Sequence, residues 1–469
     1  MVTRLSPSDA SFFRLENTAT PMYVGSLSIL RRPRAGLSYE TLLAAVEQRL
    51  PQIPRYRQKV REVRFGMARP VWLDDPDFDI TYHVRRSALP SPGSDEQLHE
   101  LVARLAARPL DKSRPLWEMY LVEGLDKNRV ALYTKSHQAL INGMTALEIG
   151  HVIADRQRRP PPFPEDIWVP ERDPGSTRLL LGAVGDWVVG PGAQMQAVGS
   201  AIAGLATNSG QFVDTARRFF DIARTMARGT APSSPLNATV SRNRRFTVAR
   251  RSLEDYRTVR ARYDCDVHDV VLAVIAGALG NWLMSRGEAV PQSATVRAMA
   301  PLSVYTDDQL DSSGPGQAIS QVTPFLVDLP VGERNAVVRL SQIAHATESN
   351  PTAASLVDAR TIVTLSGFAP PTLHAMGIRV ATSFSARVFN LLITNAPGAQ
   401  SQIHIAGTKL LETYSVPPLL HNQALAISVT SYNGMLYFGI NADRDAMSDV
   451  DLLPGLLDQS LEELLGASR

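Results

Sequence analysis

The sequence predicts an α/β protein built in two halves, each mixing strands with flanking helices. Three observations carry that expectation. Residues 118–125 and Arg129–His137 read as neighbouring strands joined by the polar turn Asp126-Lys127-Asn128. Val267–Ser285 is a helix apolar on nearly all sides, capped by Asp266 and stopped at Gly287, and so should be buried. Residues 424–432 and 435–441 flank Asn433-Gly434, the strongest short-range hairpin signal in the chain.

The remaining elements follow in order. Residues 23–30 alternate like a strand, and 39–50 read as a helix with Leu42, Leu43, Val46 and Leu50 on one face, stopped by Pro51. Residues 98–107 form a second amphipathic helix. The proline-rich stretch 158–174, with Pro160-Pro161-Pro162, cannot continue a helix and marks an extended crossover. Residues 178–229 are rich in Ala, Gly and Val, interrupted by Asp186, Gly190, Pro191 and Gly192, and end helical and arginine-rich. From Arg244 a second α/β region begins, with Ser252 and Asp255 in a capping-box pattern for a helix through Tyr263. Residues 452–465 close the chain as a helix. The expected division is 1–157, 158–243 and 244–469.

At 469 residues with 44% hydrophobic and 20% charged, the composition is that of an ordinary soluble protein with a sizeable core. The single Cys265 excludes an internal disulfide, and no histidine is spaced to share a metal with it. Residues 1–17 carry Arg4, Asp9, Arg14 and Glu16 and lack a signal-peptide core. The uncharged apolar run 270–280 falls short of the ~20 residues a bilayer needs. A cytoplasmic location, peripheral to membrane or lipid droplets, is the expectation. Between 214 and 262 there are twelve arginines against four acidic residues, which would attract coenzyme A phosphates or anionic headgroups, or form only a solvated basic face. Nucleic acid is not expected, because no stacking aromatics interleave with these charges.

The most informative stretch is Ser136-His137-Gln138-Ala139-Leu140-Ile141-Asn142-Gly143. Strand alternation puts Tyr133, Lys135 and His137 on one face and Thr134, Ser136 and Gln138 on the other, unless the backbone bends. Asn142 and Gly143 tolerate the positive φ such a bend needs, and Thr145 with Glu148 forms a capping box for a helix to about Ala154. The run resembles the HHxxxDG signature of coenzyme A-dependent acyltransferases, with Gln138 and Asn142 in place of the second histidine and the aspartate. In that superfamily a histidine takes the proton of an acceptor hydroxyl attacking a thioester, and the aspartate fixes the turn. Gln138 cannot take up a proton near pH 7, but its oxygen can accept a hydrogen bond from the hydroxyl and align it. Two assignments stay open. Either Gln138 positions the alcohol while water or the departing thiolate takes the proton, or a rearrangement turns His137 to the acceptor. No G-x-S-x-G elbow occurs, which argues against a serine hydrolase.

Further blocks extend the likeness over nearly the whole chain. Leu5-Ser6-Pro7-Ser8-Asp9-Ala10 is similar to an L-S-P-x-D-A opening. Pro109-Leu110-Asp111-Lys112-Ser113-Arg114-Pro115-Leu116-Trp117-Glu118 resembles PLDxSRPLWE. Val267-His268-Asp269-Val270-Val271-Leu272-Ala273 resembles V-N-D-V-V-L-A, and Asn390-Leu391-Leu392-Ile393-Thr394-Asn395-Ala396-Pro397-Gly398 resembles N-L-x-x-T-N-V-P-G. In order and together, these blocks look like the bacterial wax ester synthase/diacylglycerol acyltransferase family, in particular its mycobacterial triacylglycerol synthase branch. The resemblance implies two chloramphenicol-acetyltransferase-like subdomains with mixed sheets and a tunnel between them. It places catalysis at His137, Gln138 and Asn142, with substrate contacts at Gly143, Trp117, Ser303, Asn390 and Asn395, and Ser303 or Asn395 as an oxyanion donor. The plainer readings are that Trp117 packs, that Asn390 and Asn395 satisfy backbone groups, and that His268 is a surface or capping residue.

The implied activity is transfer of a long-chain acyl group from acyl-coenzyme A, as co-substrate with no cofactor or metal, to diacylglycerol. One alternative is wax ester synthesis on long-chain alcohols. The other is a non-catalytic lipid- or acyl-coenzyme A-binding protein that kept the channel and lost the base.

Overall fold

The structure, a computed structural model, describes residues 3–5, 9–10, 12–13, 16–32, 37–63, 69–141, 149–157, 168–171, 173–175, 231–302, 323–348, 388–396 and 398–467. Its strands, in chain order, are β1 (Thr3–Arg4), β2 (Tyr23–Arg31), β3 (Gln58–Arg61), β4 (Val71–Asp74), β5 (Val84–Ala88), β6 (Trp117–Leu125), β7 (Arg129–His137) and β8 (Ala154–Asp155). The second half adds β9 (Arg244–Ser252), β10 (Val296–Leu302), β11 (Thr323–Leu329), β12 (Leu391–Ala396), β13 (His404–Ile405), β14 (Thr408–Val416), β15 (Leu425–Tyr432) and β16 (Met435–Asp443).

Among the described residues these strands form two large mixed sheets and one small one. The first sheet runs β5-β6-β7-β2-β14-β13-β8 and the second β11-β10-β12-β15-β16-β9, while β1, β4 and β3 form the small sheet. In the first, β5 lies parallel to β6 and the β6–β7 and β2–β7 pairs are antiparallel. In the second, β12 lies parallel to both β10 and β15. The expected α/β class with mixed sheets is what the chain adopts.

The order of the first sheet was not legible beforehand. Strands β13 and β14 come from late in the chain yet pair with β8 and β2. The chain therefore returns to its first sheet between 404 and 416 and then goes back to the second. The return strand is packed closely: Ser428 Oγ donates to Ser415 O at 2.6 Å, and a Cβ placed on Gly439 would lie 1.9 Å from that same oxygen. Only glycine at 439 lets the backbones approach so closely.

Several elements match their sequence patterns. The β15–β16 hairpin turns at Asn433 and Gly434, both with positive φ, as a two-residue primed turn requires. Helix Val267–Ser285 is long and apolar enough to span a bilayer, but it is mostly buried in the second core beside Val296, Leu340 and Leu461. The early helix ends at Glu47, sooner than its apolar pattern suggests, and a 3-10 turn carries Leu50 into the core instead. Ser252 caps its helix through Glu254 N–H alone, not as a full box.

The two halves share a core. Phe246, Tyr432 and Tyr437 from the second half pack into the first hydrophobic cluster, and helix Asp95–Ala107 lies against β9, with His99 edge-on to Phe246 at 5.9 Å.

Candidate active site

The His137-Gln138 bend is fixed by its two neighbouring strand ends. His137 closes β7 opposite Tyr23 of β2. Its N–H donates to Leu116 O at 3.0 Å, and the N–H of Gln138 donates to Met22 O at 2.9 Å. Gln138 then opens the short helical turn Gln138–Ile141.

The two side chains meet different surroundings. His137 is fully buried, with its ring against Phe13 at 5.8 Å and edge-on to Tyr23 at 5.9 Å. Gln138 is half-buried. The Nδ1 of His137 accepts the N–H of Ala139 at 2.9 Å, satisfying a donor that a helix start leaves orphaned. That bond leaves the ring proton on Nε2, which lies 3.6 Å from Glu16 Oε2. A general base needs an accessible lone pair. In this geometry His137 has none, because one nitrogen is already an acceptor and the other carries the proton.

Glu16 sits between two partners. Lys112 Nζ lies 2.7 Å from its Oε2 and also 4.4 Å from the Phe13 ring. Burial pushes the Glu16 carboxyl up, but His137, Lys112 and the Tyr23 hydroxyl outweigh it and bring the group down to about 2. The Tyr23 hydroxyl also accepts the N–H of Leu110 at 2.9 Å, and burial and Glu16 push its pKa up.

Lys135 is likewise fully buried one turn of the pleat away. Its ammonium donates to Leu105 O at 3.0 Å and Arg108 O at 2.8 Å, capping the C-terminal end of helix Asp95–Ala107, and pairs with Glu118 at 3.4 Å. Burial lowers it to about 8.

Trp117 is fully buried, and its indole N–H donates to Tyr56 O at 2.8 Å. The ring stacks at 4.6 Å on His83, whose Nδ1 contacts Trp117 O at 2.8 Å. Burial brings His83 down to about 4. The structure gives Trp117 a packing role with no surface left for a ligand.

Asn390 is also committed to the protein. Its Oδ1 accepts the N–H of Arg297 at 2.8 Å, and its Nδ2 donates to Pro232 O at 2.8 Å and to Asn237 Oδ1. Every donor of its amide is used, and it is fully buried. The substrate contact expected at Asn390 is replaced by a clamp on the start of β12, the plainer of the two readings.

Asn395, near the end of β12, has its Nδ2 3.1 Å from His268 Nδ1. His268 is therefore not a surface residue but a half-buried partner joining two of the sequence blocks, and burial lowers its pKa. Asn142, Gly143 and Ser303, with the Thr145–Glu148 capping box, lie outside the described residues.

Four arginines in the described part of the arginine-rich segment are paired within the protein. Arg244 reaches Asp443 at 3.7 Å and donates to Ala19 O, Arg245 pairs with Asp451, Arg250 with Glu412, and Arg251 with Asp458. Glu16 and Lys112 carried no functional signal in the sequence, since each finds its partner far along the chain.

Comparison with known proteins places this geometry. The wax ester synthase/diacylglycerol acyltransferase catalytic domain matches residues 5–271, and the C-terminal domain of the same family matches 320–465. The chain belongs to the wax ester synthase/diacylglycerol acyltransferase family. A Mycobacterium tuberculosis protein named probable diacylglycerol O-acyltransferase tgs3 is 86% identical over 266 residues, covering 57% of this chain and 98% of the relative. Probable diacylglycerol O-acyltransferase tgs1 of the same species is 29% identical over 471 residues, covering 100% of this chain and 97% of its own. Among solved structures, the wax ester synthase/diacylglycerol acyltransferase from Marinobacter aquaeolei VT8 superposes with a TM-score of 0.71 at 25% identity over the full length of both chains. The first condensation domain of the calcium-dependent antibiotic synthetase, at 13% identity and a TM-score of 0.58, shares the fold.

Proposed function

We propose that the chain is a diacylglycerol O-acyltransferase that makes triacylglycerol from long-chain acyl-coenzyme A and diacylglycerol. The acceptor oxygen attacks the thioester carbonyl, the C–S bond breaks, and coenzyme A leaves as a thiolate that ends protonated. The single observation that carries the assignment of roles is that His137 is fully buried with its Nδ1 lone pair already taken by the Ala139 N–H, whereas Gln138 is partly exposed at the bend. Gln138 accepts the hydrogen bond of the acceptor hydroxyl, and the proton passes to water or to the departing thiolate. Loss of general-base assistance costs about 10²–10⁴-fold, while aligning two bound reactants supplies roughly 7–11 kcal/mol. The variant site is slower, and it still works. Asn142 stands where the family signature has its aspartate, and Ser303 and Asn395 are the candidate oxyanion donors. The substrates meet in a dry channel between the halves, and the protein works at a membrane or lipid-droplet surface from the cytoplasm. Fatty alcohols serve as secondary acceptors, giving wax esters.

The test is to supply purified protein with labelled oleoyl-coenzyme A and diacylglycerol, hexadecanol or no acceptor, following free thiol and lipid product. Gln138→Ala is expected to lower kcat while the fold is retained. Unchanged turnover in Gln138→Ala, with complete loss in a folded His137→Gln, would move the chemistry to His137. Binding of acyl-coenzyme A with no turnover on any acceptor would make the chain a lipid-binding protein.

A further inference from the structure

We propose that Glu16, held by Lys112, is the positioning residue for the bend that presents Gln138. The inference rests on the reading of Gln138 as the group that aligns the acceptor hydroxyl. A run of polar groups connects the three: Lys112 Nζ to Glu16 Oε2, Glu16 Oε2 to His137 Nε2, and His137 Nδ1 to the Ala139 N–H. Ala139 directly follows Gln138, so the last bond in this run fixes the backbone that carries the working side chain.

Tautomerism makes the arrangement a device and not merely a packing detail. An imidazole with its proton on Nδ1 would point that N–H at the N–H of Ala139, donor against donor, and the turn would have to open. The carboxylate at 3.6 Å selects the Nε2–H tautomer and keeps Nδ1 free to accept. Glu16 can hold that charge in a nearly closed site, with its side chain 5% exposed, because His137, the Lys112 ammonium and the Tyr23 hydroxyl stand against it. Lys112 lies in the same block as Trp117 and comes to this point through the segment between helix Asp95–Ala107 and β6. The same contacts explain why a histidine is useful at 137 when 138 is a glutamine. A site that works by alignment alone is more sensitive to displacement than one with a true base, since a 1 Å error can cost about 10²-fold.

The experiment uses the full chain labelled with ¹⁵N-histidine, with His137→Gln to assign the signal, and the variants Glu16→Gln, Glu16→Ala and Lys112→Met. Folding is checked by thermal melting and near-UV circular dichroism. The wild type should give an Nε2-protonated His137 resonance. Glu16→Ala should give mixed tautomers or the Nδ1-protonated form, with kcat down about 10–100-fold and KM for oleoyl-coenzyme A within about 2-fold. Glu16→Gln, which keeps an acceptor oxygen, should fall between the two. If Glu16→Ala does not fold, Glu16→Gln and Lys112→Met carry the test. A folded Glu16 variant with the wild-type His137 resonance and wild-type kcat overturns the proposal. A tautomer change in a protein whose wild type transfers no acyl group sustains the Glu16–His137 link and sinks the reaction instead.

Discussion

Asn390 and Gln138 are both carboxamides, and burial separates their roles. Asn390 donates to Pro232 and Asn237 and accepts from Arg297, so Asn390→Ala should lower stability by about 1–3 kcal/mol for each group left unpaired, with the KM for acyl-coenzyme A unmoved in the protein that still folds. Urea unfolding alongside steady-state kinetics checks this. Gln138→His puts an imidazole at a partly exposed position beside an intact turn. It should raise kcat, by up to about 10²-fold, and introduce a fall in rate at acid pH that the wild type lacks. A flat pH profile with no gain would mean that the side chain at 138 does not reach the acceptor. At this scale the sequence was partly readable. His137 and Gln138 stand out because a recognisable run surrounds them, whereas Glu16 figured only as a charge breaking an apolar segment and Lys112 only as the variable position of a block. Neither could be linked to His137 without knowing that β2 and β7 pair and bring the N-terminal segment across the ring.

Strands and helices were easier to foresee than their neighbours. Alternation located β2, β6, β7, β15 and β16 to within a residue or two, because each has one face or both pressed into a core. Pairing order depends on contacts between distant segments, and nothing in the local pattern of 408–416 says that it sits beside β2. Strand β14 is also where the two sheets are fastened, through Ser415 to Ser428 and against Gly439. Gly439→Ala should therefore push the backbones apart and cost about 1–3 kcal/mol, an amount large for a single methyl group. A melting temperature equal to that of the parent would show that the strands can shift to admit a Cβ.

The whole molecule should lose stability on mild acidification. His83 is buried between Phe78 and Trp117, and its pKa falls from the ordinary 6.5 to about 4. Between those values the unfolded chain binds a proton that the folded chain does not, so stability is full above about pH 6.5 and declines towards pH 4. His99 and His268 are displaced in the same direction by burial and add to the slope. Glu16, with its pKa held near 2, contributes stability that is present above the ordinary 4.5 and is lost only below that. His83→Gln keeps a donor for Trp117 O and should flatten, without abolishing, the decline in unfolding free energy between pH 7 and pH 5. The two-half α/β architecture was evident from the chain; the acid response was not, since it depends on which histidines the core encloses.

The path of β14 bears on how such enzymes can be recombined. A chimaera that joins the front of one family member to the back of another with a single crossover would pair β2 of one parent with β14 of the other, and mismatched side chains would meet in the middle of a sheet. Segment 404–416 has to travel with the front half, so workable hybrids need two further crossovers around it.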